Sequence, residues 1–366
     1  MIYLGPSCTV PVRYSECRPV RRDTVSSVVA AVRDRARRRR WQWAVMALVG
    51  VFLCACSVET QEQKDMVAAL AGLPGVQQVS TEIEENFSTV VVLTGDASAQ
   101  QATAVIEAFG AQIAATAKLP RRRVDIELRW HEGSSSFKAG RDGLATAPQR
   151  AAQWHSLSRA FPRDEVVWTY QWAEFCCDAF GPGDLVQKGY TGLGDISVRP
   201  EAEDFRAVSE TYRRVMAEFP DFADVAWEVG AWGRAGGLLR VDSRYPSERE
   251  LSVWERLNQD QSVPHSVHMT TVTEGRLYPM RPSVVVRLRS EDFADVKRLT
   301  EQHIPIATEL GAPDVDYFAT TDRLDGPGSY DPDHGLRVTI GGCQYTDRPP
   351  SPAEQPFVDR YGKCTR

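Results

Sequence analysis

Long apolar runs are nearly absent from this chain, and with them goes the membrane-spanning helix. The longest, residues 41–56 (WQWAVMALVGVFLCAC), has sixteen residues, against the roughly 20 that a crossing helix needs. Metal-binding patterns are absent too: there is no H-E-x-x-H and no spaced Cys/His set, so no metal ligand is assigned. His265 and His268 are three apart on an expected strand and therefore face opposite ways. His131 stands beside Glu132 without further ligands, and Asp322, Asp325, Asp331 and Asp333 lack EF-hand spacing and keep the company of Gly and Pro, as turn residues do. There is no G-x-S-x-G elbow, and Ser134, Ser135 and Ser136 have loop composition. Gly192-x-Gly194 is too short for a phosphate loop, and Cys176-Cys177 has no neighbouring cation to favour a thiolate. Carboxylates are too plentiful for a catalytic pair to stand out. No catalytic residue and no cofactor is assigned, and catalysis is the lesser expectation.

The charge is uneven. Of a net charge of −6, residues 1–56 hold ten arginines against Glu16, Asp23 and Asp34, which leaves 33 basic and 46 acidic residues for 57–366, about −13. An acidic body excludes binding to nucleic acid or anionic headgroups by charge alone. The 366 residues exceed one ordinary domain.

The basic segment has an order of its own. Arg37-Arg38-Arg39-Arg40 precedes the apolar run, which ends in Leu53-Cys54-Ala55-Cys56. Basic cluster, short apolar run and small residues at a cut is the order of exported segments. The last four residues resemble the lipobox of bacterial lipoproteins. The resemblance implies that residues 1–55 are a cleaved signal peptide, that Cys56 carries a diacylglycerol as the first residue of the mature chain, and that the protein lies on the extracytoplasmic face of the cell membrane. Two acyl chains give the stable attachment that one does not. Ordinary signal cleavage lacks a good A-x-A site here. Residues 1–24 show no periodic apolar pattern, so the true start is expected further on, near Val25, with a genuine extended basic region as the alternative.

Export agrees with the cysteines. Cys8, Cys17 and Cys54 precede the expected cut, leaving Cys176, Cys177, Cys343 and Cys364 in an oxidising compartment. Adjacent cysteines rarely bond each other. Three pairings exist, and Cys343–Cys364 is the favoured one, closing a short loop worth about 3 kcal/mol in the chain-entropy model.

Along the mature chain, a tether (56–63) leads into a unit at 64–132: a helix at 64–71, strands at 76–83 and 87–93, a helix at 99–116 opened by Ser98 and Gln101, and a strand at 124–128. After a Ser/Gly/Ala-rich linker (133–147), the order helix, strand, strand, helix, strand returns in 148–242 and again in 246–322. Trp154-x-x-Leu157 matches Trp254-x-x-Leu257, and Glu203-Asp204-Phe205-x-x-Val208 matches Glu291-Asp292-Phe293-x-x-Val296. The expectation is an α+β chain of three tandem two-layer α-β-β-α-β units of ferredoxin-like sandwich type, with helices on one sheet face only. A proline-rich tail, 323–366, holds one strand at 336–340. Trp168 and Trp172 share a strand face and, if exposed, form a platform for stacking on a sugar ring or peptide; if buried, they are core. The functional expectation is a lipid-anchored binding or assembly module with an envelope protein or wall polymer as partner. The alternative is an envelope hydrolase whose site assembles only in the fold.

Overall fold

The computed structural model describes residues 60–83, 87–116, 124–130, 135–170, 193–231, 236–271, 281–311, 314–321, 334–343 and 349–363. These belong to a unit running from Thr60 to Arg366. Among the described residues seven α-helices and twelve strands alternate as helix, strand, strand. The helices are α1 Gln61–Ala71, α2 Ala99–Ala115, α3 Ala147–Ala160, α4 Phe205–Glu218, α5 Glu248–Gln259, α6 Phe293–Ala307 and α7 Gln355–Tyr361. The strands are β1 Val76–Ile83, β2 Phe87–Leu93, β3 Val124–Trp130, β4 Ser136–Gly140, β5 Glu165–Tyr170, β6 Asp195–Arg199, β7 Ala226–Ala231, β8 Gly237–Val241, β9 His265–Thr271, β10 Ser283–Leu288, β11 Val315–Thr320 and β12 Gly335–Ile340.

The helices begin where side chains can take up their first N–H groups. Thr60 with Gln63, Ser98 with Gln101 and Ser247 with Glu250 form capping boxes on α1, α2 and α5. Asp204 and Asp292 cap α4 and α6. The strands alternate buried and half-buried side chains, as in Phe87–Leu93, Glu165–Tyr170 and His265–Thr271. That period of two sends one row of side chains to the core and the other away from it.

All twelve strands form one sheet in strictly sequential order. Each hairpin (β1–β2, β3–β4, β5–β6, β7–β8, β9–β10, β11–β12) is antiparallel, and each junction between hairpins is parallel and carries a helix between its strands. Right-handed crossovers that all step the same way along a sheet place their helices on one face. The core lies there. Trp154, Trp168, Trp227, Trp254, Phe109, Phe137, Tyr212 and Tyr317 are wholly buried between helices and strands.

The α+β class with helices on one face is what the residue pattern leads one to expect. The expected unit boundaries are corrected. The described part of the expected linker 133–147, residues 135–147, is not a linker: it contains β4, paired with both β3 and β5, followed by a 3-10 turn at Arg141–Gly143. Strand β8 was not expected and joins β7 to β9. One continuous sheet therefore takes the place of three separate sandwiches. Sequential order also lacks the interleaving of a ferredoxin-like unit, whose parallel strands are split by another. The tail strand β12 adds to β11 as expected, and α7 lies in the proline-rich segment where no helix was foreseen.

Candidate functional site

The face of the sheet turned away from the helices is built from the other half of every strand. Its charged residues meet across strands. Glu127 lies 2.9 Å from Arg129 and 3.9 Å from Lys138; Glu165 pairs with Arg199 at 2.6 Å; and Arg240 reaches Asp195 at 3.2 Å and Glu228 at 3.5 Å. At the far end Arg337 grips Asp316 through Nε and Nη2. Partly exposed pairs of this kind each contribute about 0–1 kcal/mol. Their larger effect is to leave the face without a field of one sign. Between these ladders Leu238, His268, Val285 and Phe318 stand in one cross-strand register and are half-buried. Burial, and then the nearby Arg287, lowers the pKa of His268. The other three members of this row are apolar.

On the helix side a cleft of about 540 Å³ opens between the end of α3 and the body of α4. Phe161, Ala207 and Thr211 line it, with Pro162, Pro200 and the charged groups Arg163, Asp164, Glu201, Glu210 and Arg214. Several of those charges are engaged already. Asp164 accepts the Glu201 N–H at 2.9 Å, Arg163 pairs with Glu201 at 3.3 Å, and Arg214 donates to the Ala160 carbonyl at 2.7 Å while lying over the Phe161 ring.

Trp168, read above as a stacking platform if exposed and as core if buried, is wholly buried. Its Nε1–H donates to the Leu193 carbonyl at 2.8 Å and its ring packs on Phe137 and Phe222. Its burial, which leaves no stacking platform at 168, has a simple cause: position 168 falls on the helix-facing row, where a large apolar ring removes most surface from water. Trp172, Cys56, Cys364, Cys176 and Cys177 lie outside the described residues, as do His131, Asp322, Asp325, Asp331 and Asp333. Cys343 is disulfide-bonded. Every other cysteine of the chain lies outside the described residues, and so does its partner.

His265 and His268 do face opposite ways. His265 is fully buried, with Nδ1 2.8 Å from the Val263 carbonyl and Nε2 3.0 Å from that of Leu257. Its ring lies 5.1 Å from that of His303, tilted by 55°, and His303 in turn approaches Tyr317 Oη through Nδ1 at 3.3 Å. Burial first, and His265 second, drive the pKa of His303 down to about 3, while burial raises that of Tyr317. This buried trio was missed at the level of sequence, because His303 and Tyr317 are 14 residues apart and join only through the α6–β11 packing. Among the described residues no group of three or more His, Cys, Asp or Glu side chains is placed to hold a metal ion.

No protein-family model, no curated protein and no solved structure matches the chain.

Proposed function

We propose that the chain is a lipid-anchored extracytoplasmic protein of the cell envelope, held to the membrane through Cys56, that acts by binding or assembly rather than by catalysis. The observation that supports the binding role is the sheet face that no described helix covers: a surface with cross-strand ion pairs, crossed by the row Leu238, His268, Val285 and Phe318. Such a face suits an envelope protein or a wall polymer. Support for the anchor comes from the order of basic cluster, apolar run and Leu53-Cys54-Ala55-Cys56. Among the described residues no helix is long and apolar enough to cross a membrane.

The tandem reading fits the same picture in modified form, as three pairs of helix–hairpin repeats. The matched Trp-x-x-Leu positions put Trp154 and Trp254 in the core of α3 and α5, where each indole N–H donates to a backbone carbonyl. The matched Glu-Asp-Phe positions put Asp204 and Asp292 at the N-caps of α4 and α6.

A hydrolase is the competing reading, and the cleft beside α4 is where it would sit, since Asp164, Glu201 and Glu210 line it. The engagement of Asp164 and Glu201 in structural contacts favours binding. Cys56→Ala is expected to leave unprocessed precursor and to abolish labelling by a fatty-acid probe; unchanged labelling sinks the anchor. A photoreactive group at Phe318 is expected to crosslink to envelope material in cells, and the same group at exposed Arg163 is not. The opposite result would move the site to the cleft.

A further inference from the structure

In the layer from α1 to α6 every neighbouring pair of helices packs closely except α3 and α4. The cause is local. Helix α3 stops at Ala160, and the chain turns back to the sheet through Phe161, whose carbonyl accepts the Asp164 N–H at 3.2 Å. Across the gap, Ala207, Glu210, Thr211 and Arg214 recur at three- and four-residue spacing and so share one stripe of α4. Ala207 and Thr211 are too small to fill the space. Arg214 bridges one end of it, lying over the Phe161 ring with Nη2 on the Ala160 carbonyl at 2.7 Å, and Phe161 meets Phe219 with ring centroids 6.5 Å apart. The cleft of about 540 Å³ is what remains, a volume within the range of small-molecule sites.

What the walls leave unclaimed has one character. Both lining arginines are engaged: Arg163 with Glu201 at 3.3 Å, and Arg214 with Ala160 and, through Nε, with Glu218 at 2.8 Å. The acidic groups are not used up. Asp164 commits Oδ1 to the Glu201 N–H, and Glu210 has no ion pair among the described residues. Arg213, three residues on, feels the charge of Glu210 but pairs with Glu255 at 2.8 Å. Thr211 lines the cleft, is 6% exposed, and its hydroxyl has no hydrogen-bond partner among the described residues. A buried hydroxyl left without a partner is costly, and a ligand group that bonds it removes that cost. Phe161, Pro162 and Pro200 add an apolar wall. The cleft therefore offers acceptors beside apolar surface, and an ammonium group brings only donors.

We propose that this cleft is a binding site for a small organic amine, whose ammonium group donates to Glu210 and to the Thr211 hydroxyl while its apolar body lies along Phe161, Pro162 and Pro200. An anion of the same shape would meet Asp164, Glu201 and Glu210 with both lining arginines already engaged. A lysine side chain on a polypeptide carries the same cation but less apolar surface, and it is the source to be distinguished. The site is on the helix side of the molecule, and it depends neither on the opposite sheet face nor on the lipid at Cys56.

The full chain is titrated with 2-phenylethylamine, and with 2-phenylethanol and 3-phenylpropionate, which keep the apolar body but carry no charge or a negative one. Calorimetry gives the affinity, and the amide chemical shifts of Ala207 and Thr211 give the place. Saturable binding of the amine is expected, at least about tenfold tighter than that of the anion, with shifts at both amides. Nα-acetyl-lysine amide, standing for a lysine on a polypeptide, is expected to bind about tenfold more weakly than 2-phenylethylamine. Glu210→Gln is expected to weaken the amine about tenfold and Thr211→Val about fivefold. Glu203→Gln, exposed at the head of α4 and outside the cleft, is expected to leave its affinity unchanged. The comparison of probes uses the unaltered chain, so it stands whether or not Thr211→Val folds. No saturable binding, or an anion held as tightly as the amine, overturns the site. Equal weakening by Glu203→Gln and Glu210→Gln would show attraction to the acidic chain at large and overturns it as well. Tighter binding of the lysine amide overturns the assignment to a small amine.

Discussion

His303 is held neutral inside the fold, and that makes it a source of acid sensitivity. With 2% of its surface exposed and its pKa near 3, it refuses a proton that the unfolded chain accepts near pH 6.5. Below about pH 6.5 the unfolded state therefore gains protons relative to the folded one, and stability falls as pH falls. The fall from this residue alone approaches about 1.4 kcal/mol per pH unit and continues until the pH nears 3. His155 and His268 are shifted the same way, both mainly by burial, and add to it. Urea unfolding at pH 7 and pH 5 is expected to show His303→Gln losing about one proton's worth of that dependence. If the variant keeps the full slope, the acid sensitivity arises elsewhere. Tyr212 shows the opposite solution for a buried polar group. Its hydroxyl lies 3.2 Å from the Trp227 carbonyl and 2.7 Å from that of Leu239, binding β7 to β8 from beneath.

At the scale of elements, the head of α5 concentrates the most interactions on one residue. Glu250 closes the capping box with Ser247 and takes both nitrogens of Arg244, at 2.6 and 2.7 Å. Ser247→Ala removes one cap acceptor and is expected to cost about 1 kcal/mol. Glu250→Ala also takes the two-pronged partner from half-buried Arg244, leaving its guanidinium the Tyr245 carbonyl at 2.9 Å, and is expected to cost more, about 2–3 kcal/mol. Urea denaturation of the two variants ranks them, and an equal cost would show that the Arg244 contact contributes nothing. Such heads were legible in the sequence, because Ser-x-x-Gln and Ser-x-x-Glu spacing acts within a single turn. Strand β3 was legible through its strict alternation, and β1, β2, β5, β6, β7, β9, β10, β11 and β12 as short apolar-rich runs between turn signals. The strands that were missed have local causes. β8 opens on Gly237, where a Cβ would fall 2.4 Å from the Val267 carbonyl and 2.7 Å from Trp254 Cη2. The close approach of β9 and α5 demands glycine there, and Ala235-Gly236-Gly237 reads as a turn when its neighbours are unknown. β4 has the composition of a loop, SFKAG, and becomes a strand only because β3 and β5 flank it on both sides. The position of Trp168 was open for the same reason: its strand was readable, but which face met the helices was set by the whole sheet.

For the molecule as a whole, sequential strand order means that each helix–hairpin repeat touches its neighbours and little else. Stability in such an array is close to a sum of local terms, and opening can begin at an end without involving the middle. Among the described residues the first repeat has one neighbour: Met66 and Leu70 of α1 pack on β1 and α2. The central repeats are tied on both sides, and Trp227 of β7 is enclosed by strands β6 and β8 with Tyr245 against its ring. Leu70→Ala removes a fully buried side chain and is expected to cost about 2–5 kcal/mol, but locally. Hydrogen exchange should show amides of α1 and β1 losing protection while those of β7, β8 and β9 keep theirs. Trp227→Ala, of similar cost, cuts the array in its middle and should lower protection on both sides of β7 together. If Leu70→Ala instead lowers protection in β7–β9 by the same factor as in α1, the sheet unfolds as one cooperative body. The end repeat then cannot fray independently.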